Sequence, residues 1–205
     1  MDVKQVFREY EGPVSDNPMA FCMYCGSPCA DVASNDGRFY RTCTGCGRVH
    51  FRNPSPTVAV LVVQDECLLL CLREDRMFRG GKWCLPGGYM DFGEDFLTAG
   101  RREVWEETGL EVQIKAILSV ASNNYTPEMS SVCVIMLAGP IGGKMEARDE
   151  TQDVRWHPFG QELPPMAFEH HEHIVQRYLA TGLEGAPVDP EYAQRQLSLD
   201  KAPHS

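Results

Sequence analysis

The hydrophobic pattern along this chain changes period several times, and each change marks an element. Residues 57–63 and 67–73 are β-branched and aliphatic runs separated by Gln64, Asp65 and Glu66, which predicts two strands joined as a hairpin. Gly80, Gly81, Pro86, Gly87 and Gly88 then punctuate the chain. Over residues 95–108 the spacing turns helical, and Gly109 stands where a helix ends in the left-handed conformation. Strand-like stretches return at 111–121, 131–138 and 154–158. A last helix is expected over 168–181, closed by Gly182, with Ile174, Tyr178 and Leu179 at helical spacing. Residues 1–20 read as a lead-in, and the proline-bearing stretch from Glu184 as a loosely packed tail.

With 205 residues there is room for one full domain and a small module. Hydrophobic residues make up 43%, enough to bury a core without disulfides. No apolar stretch opens the chain and no apolar run reaches about 18 residues, so no membrane association is expected and the cytoplasm is the default location. In that setting the nine cysteines are reduced thiols or metal ligands. The net charge of −10 is unevenly spread: through Pro56 there are six basic and six acidic residues, so the whole deficit falls on the rest. An acidic body of this kind excludes a general nucleic-acid binder, which needs a basic footprint, and suits a protein that gathers divalent cations.

Four of the cysteines, Cys22, Cys25, Cys43 and Cys46, form two CxxC pairs with seventeen residues between them. Four thiolates at that spacing suit a tetrahedral Zn²⁺, and with all four positions taken by protein the site would be structural. Cys29 stands outside the pattern, while Cys67, Cys71, Cys84 and Cys133 read as core thiols. Arg38, Arg41, Arg48 and Arg52 against Asp31 and Asp36 are too small an excess to favour nucleic acid. Arg52, Asn53, Pro54, Ser55 and Pro56 read as a stiff connector between this module and the rest.

The second constellation lies on the expected helix. Glu103, Glu106 and Glu107 stand at i, i+3 and i+4 and project from one face, where their charges repel unless something neutralises them. Hard divalent cations do this, and Mg²⁺, or Mn²⁺ in its place, suits carboxylates combined with substrate phosphates. Arg102, four residues before Glu106, can also hold a carboxylate. Gly88, five residues, Glu94, seven residues, then Arg102, Glu103, Val104, any residue, Glu106, Glu107, any residue, Gly109 and Leu110 match the Nudix box at every defined position. The chain thus resembles the Nudix hydrolase superfamily over about residues 57–165, where Trp83, Leu85, Pro86, Gly87 before the box and Trp156, Glu162, Leu163, Pro164 after it add to the likeness.

That resemblance implies an α/β fold: an α/β/α sandwich around a mixed sheet, preceded here by the zinc-ribbon module. The expected organisation is lead-in 1–20, ribbon 21–52, hydrolase domain 53–183 and tail 184–205. It also implies that Glu103, Glu106 and Glu107 ligate the catalytic metal, with the Gly87 carbonyl and Glu150 as further ligands, and Glu94 fixing the loop or acting at longer range. Asp149 and Asp153 stand close enough to replace Glu150. For the proton-accepting base Glu103 comes first and Glu150 second. Arg73 and Tyr125 are the candidate substrate contacts. The ribbon ahead of the box is similar to the NADH pyrophosphatase group, but that group's SQPWPFPxS motif is replaced by the stretch from Ser119 to Ser130. The ribbon glycines and Asn53-Pro54 are more similar to FAD/ADP-ribose pyrophosphatases. The function implied is hydrolysis of the pyrophosphate bond of FAD, ADP-ribose or an NADH-like compound by a homodimer. The alternatives are a nucleoside triphosphate, dinucleoside polyphosphate or RNA-cap hydrolase and, from another class, a nucleotide sensor, which the intact glutamates disfavour. His170, His171 and His173 invite a metal reading, but with no cysteine or carboxylate partner foreseeable they are expected as polar positions of an amphipathic helix.

Overall fold

The computed structural model describes residues 2–13, 17–35 and 37–194. The chain divides into two compact units, one from Met1–Arg8, Ser55–Asn123 and Ser131–Ser205, the other from Glu9–Pro54 and Asn124–Ser130.

The first unit is built on a mixed sheet. Its strands are β1 (Val6–Arg8), β5 (Ser55–Gln64), β6 (Cys67–Arg73), β7 (Trp83–Cys84), β8 (Leu110–Asn124), β9 (Ser130–Gly143), β10 (Thr151–Pro158) and β11 (Ala186–Pro187). They lie in the order β1-β8-β9-β5-β6-β10, with β7 on β6 and β11 on β8. β5 runs parallel to β9, whereas β6 is antiparallel to both β5 and β10. The expected hairpin closes through Asp65 and Glu66, both left-handed with φ of 48° and 57°, the turn whose twist matches that of paired strands.

Side-chain alternation along β5 decides the layering. Val58, Val60 and Val62 join the cluster that includes Leu97 and Val104 of α1 (Phe96–Thr108), whereas Ala59 and Leu61 join Ile174 and Val175 of α2 (Glu169–Thr181). One strand thus feeds both faces, which is why its sequence is a continuous apolar run and not an alternating one. The expected α/β/α sandwich is present. α1 is capped by Asp95, whose carboxylate accepts the Thr98 N–H at 2.9 Å, and ends at Gly109 with φ of 70°.

Three segments differ from their sequence reading. Part of the lead-in forms β1, because Phe7 enters the α2-side core and is 1% exposed. Ser55 and Pro56, read as connector, open β5, where proline is tolerated at a strand start. The tail contributes β11 and α3 (Pro190–Gln194), with Ala193 buried in the α1-side core; residues 195–205 of that tail lie outside the described residues. β9 runs on through Pro140 because its pairing with β5 ends at Ala138, so no β5 ladder bond needs the missing N–H.

The second unit holds an antiparallel sheet of β2 (Cys29–Ala33), β3 (Phe39–Cys43) and β4 (Val49–His50). Its buried cluster is Cys22, Cys29 and Cys43 with Met19 against it.

Candidate functional site

Gly87 and Gly88 seat one wall of the site. The Val58 and Val60 N–H groups of β5 donate to the Gly88 and Pro86 carbonyls, both at 2.9 Å. Gly87 has φ of +155°, and a Cβ there would stand 2.2 Å from the Val58 carbonyl oxygen, so only glycine lets the turn lie this close to the strand. A Cβ on Gly88 would meet the Glu103 carboxyl at 2.8 Å. The outer glycine of the motif thus leaves the space its first helical glutamate occupies.

The glutamates of α1 gather around one guanidinium. Arg102 holds Glu94 through two bonds of 2.9 Å, Glu103 at 2.8 Å and Glu106 at 2.9 Å, and donates to the Tyr89 carbonyl at 3.0 Å. Glu94 also accepts the Asp91 N–H at 3.1 Å, which pins the loop between Gly88 and the helix. Glu107, one helical step further, is buried, and its Oε2 accepts the Gly87 N–H at 3.0 Å. One cation therefore serves three carboxylates while a fourth lies beside them. Burial, opposed by Arg102 and reinforced by Glu106, raises the Glu103 carboxyl to about 7. Burial also raises Glu107 to about 8 against the pull of the Gly87 N–H, with Glu103 and Asp149 adding to the rise.

The loop before β10 is tied to the end of the helix. The Arg148 N–H donates to the Glu107 carbonyl at 3.0 Å, and Asp149 takes a left-handed φ of 49°. The Asp149 charge is among those that raise Glu107. The Glu150 carbonyl accepts the Glu74 N–H at 3.0 Å, and its residue is exposed. Arg73 is half-buried; its Nε donates to the Phe78 carbonyl at 3.0 Å and its guanidinium lies 5.2 Å from the Phe168 ring centroid. Its charge also acts on Glu107. Tyr125 belongs to the other unit, where its N–H donates to the Met129 carbonyl at 3.0 Å.

In the second unit the four paired cysteines converge. Cys22 and Cys46 sulfurs lie 3.8 Å apart, Cys25 and Cys43 sulfurs 3.4 Å, and all four fall within 4.8 Å of one another. The N–H groups of Gly45 and Cys46 both point at the Cys43 sulfur at 3.3 Å. Hydrogen bonds from Ser27 lower the Cys25 thiol to about 6. Four sulfurs so arranged can hold one metal ion. Cys29 stands opposite Cys43 on the neighbouring strand and is not among the four.

The histidine reading is corrected. His170 and His171 are buried on α2, and their ligand atoms lie within 4.8 Å of each other and of the Cys133 sulfur, a grouping illegible in the sequence because Cys133 comes from β9. Burial keeps both imidazoles neutral, lowering His170 to about 3 and His171 well below the usual range. No helix among the described residues is long and apolar enough to cross a membrane.

Residues 53–178 match the family described as the NUDIX domain. The chain is 31% identical over 130 residues to an ADP-ribose pyrophosphatase of Methanocaldococcus jannaschii, covering 63% of this chain and 75% of that protein. It is also 31% identical over 137 residues to an NAD-capped RNA hydrolase NudC of Chromobacterium violaceum, covering 66% of this chain but only 49% of that protein. Among solved structures, a NUDIX hydrolase from Nitrosomonas europaea superposes with a TM-score of 0.73 at 27% identity, over 83% of this chain and 96% of that one.

Proposed function

This chain belongs to the NUDIX family and has the fold of a Nudix hydrolase, and from that premise we propose that it hydrolyses the pyrophosphate bond of a nucleoside-diphosphate-linked compound, with Mg²⁺ or Mn²⁺ as cofactor. The observation that carries this is the carboxylate cluster on and just before α1: Arg102 bonds Glu94, Glu103 and Glu106 together, and Glu107 stands beside them. Such a set of hard oxygen donors, in which two carboxyls are pushed up toward neutral pH, fits a divalent cation. Glu103, Glu106, Glu107 and the Gly87 carbonyl would hold it, with Asp149 or Glu150 from the loop before β10. Asp149 is the better supported of the two, since its charge acts on Glu107.

Bound there, the cation would supply Lewis acidity and neutralise the charge of the leaving phosphate. The residues of the chain do the remaining work. Arg102 keeps Glu94, Glu103 and Glu106 on one side of the helix, so their oxygens converge before any ligand arrives. Glu103 is the first choice to accept a proton from the attacking water, its carboxylate being held by Arg102 at 2.8 Å beside Gly88, and Glu150 remains second. Arg73 is the candidate phosphate contact.

ADP-ribose is the first substrate to try, on the name of the archaeal relative, followed by FAD and NADH. The four-cysteine site is assigned a structural Zn²⁺, the ribbon and the hydrolase domain are read as two modules, and the active species as a homodimer. The deciding assay presents ADP-ribose, FAD, NADH and nucleoside triphosphates with Mg²⁺ and identifies the products. Release of two monophosphates from a diphosphate compound is expected. Cleavage of triphosphates alone would replace this reading by the house-cleaning one, and absence of any cleavage with Mg²⁺ or Mn²⁺ by the sensor one.

A further inference from the structure

His171 has no role in the site as described, yet it is bonded to it. The run His170, His171, His173 separates in the fold. His173 Nε2 accepts the Lys4 N–H at 3.3 Å near the surface, while His170 and His171 turn inward. His171 Nδ1 accepts the Leu85 N–H at 3.2 Å, in a buried setting and across 86 residues of sequence. Leu85 opens the segment that carries Gly87 and Gly88. On one side of that segment the Pro86 and Gly88 carbonyls are taken by β5. On the other side the Leu85 and Gly87 N–H groups meet two side chains, His171 and Glu107. No strand supplies that second edge; an imidazole and a carboxylate do.

We propose that His171 is a positioning residue for hydrolysis: through the Leu85 N–H it clamps the 85–88 segment, and so seats the Gly87 backbone against Glu107 and Gly88 beneath Glu103. It touches neither substrate nor metal. The inference rests on the function proposed above for the glutamate cluster. The Phe168 ring, edge-on to the imidazole with centroids 5.0 Å apart, and the His170 ring at 4.4 Å hold the ring's orientation.

The grouping with Cys133 has a competing reading as a metal centre, and the same bond decides against it. A neutral imidazole has a single ring-nitrogen lone pair, and that of His171 is given to Leu85. A metal ion at this nitrogen would strip a buried N–H of its acceptor. The trio is therefore a packed polar cluster, and zinc belongs to the four-cysteine site alone.

Two substitutions separate a clamp from mere packing. Asn at position 171 places its amide oxygen where Nδ1 stands but leaves much of the ring volume empty; Leu fills the volume and offers no acceptor. Packing ranks His171→Leu above His171→Asn, and a clamp ranks them the other way. The measurements are turnover of ADP-ribose with Mg²⁺ and hydrogen exchange of the Leu85 and Gly87 amides in the metal-free protein. His171→Leu is expected to lower kcat by about 10- to 100-fold with KM little changed, the scale of a small misplacement at a reacting centre, and to speed exchange at both amides. His171→Asn is expected to recover most of both. If Leu fails to fold, His171→Gln, whose oxygen reaches instead toward the Nε2 position, takes its place with the same expectation. Equal or better behaviour of Leu overturns the proposal. So does a second zinc per chain that is lost in Cys133→Ser. Should the wild type cleave no diphosphate while its amides rank as expected, the functional reading falls and the clamp stands as a structural one; if the ranking also fails, the clamp falls with it.

Discussion

At Glu103 and Glu107 two carboxyls are pushed up to about 7 and about 8, chiefly by burial. The folded metal-free protein then holds protons that the unfolded chain releases near 4.5, so these groups lower stability as pH rises through their folded values. His170 and His171 act the other way: kept neutral when folded, they remove stability only as pH falls below about 6.5, where the unfolded imidazoles take up protons. Metal-free protein is therefore expected to melt at a lower temperature near pH 8.5 than near pH 7, with Mg²⁺ shrinking the difference; a midpoint that climbs across that interval without metal would contradict the arrangement. Glu106→Gln tests the cluster directly. It should cut kcat by roughly 10²-fold or more, the scale seen when one electrostatic stabiliser is removed, and leave the melting temperature near wild type. Glu103, Glu106 and Glu107 are legible in the sequence because helical spacing puts them on one face, whereas Glu94, in the loop before α1, is legible only through the motif that the chain resembles. The action of the Asp149 charge on Glu107 is not legible there, since it depends on how the loop before β10 is placed against α1.

Among the elements, α1 and the turn before it carry the site, and both were readable to within a residue or two because each is punctuated by a side chain with a local reason. Asp95 caps through bonds to the Thr98 N–H and hydroxyl, so Asp95→Ala should cost about 1 kcal/mol, seen as a melting shift of about 2–4 °C. The two glycines of the turn should behave differently. The nearest atoms a Cβ on Gly88 would meet are those of the Glu103 carboxyl, the end of a flexible side chain, so Gly88→Ala is expected to impair catalysis more than folding. Gly87→Ala meets the Val58 backbone at a φ suited to glycine, and thermal melting should show the larger loss of stability. If the two variants melt alike, backbone crowding at Gly87 has been overstated. α2 and its apolar face around Ile174 and Tyr178 are legible in the sequence, but the burial of His171 is not, because the acceptor need of the Leu85 N–H, 86 residues away, leaves no mark on the helix itself.

For the whole molecule, the first unit has two apolar clusters, one on each face of its sheet, whereas the second has three buried cysteines and a methionine. For a unit so poor in apolar burial, the proposed zinc is expected to supply much of the stability of the fold. One zinc per chain is expected by elemental analysis, and Cys43→Ser should abolish it together with the slow exchange of the β2 and β3 amides; retention of that protection without zinc would show the small sheet to be self-sufficient. The family resemblance, the glutamate helix and the cysteine quartet are all readable from residue order, because each depends on spacing within one element or on paired turns whose chemistry is local. That the opening residues and the tail add strands to the sheet, that Asp149 bears on Glu107, and that His171 meets Leu85 emerges from the folded chain. These are contacts between segments far apart in the chain, where a side chain answers a backbone group that carries no signature of its own.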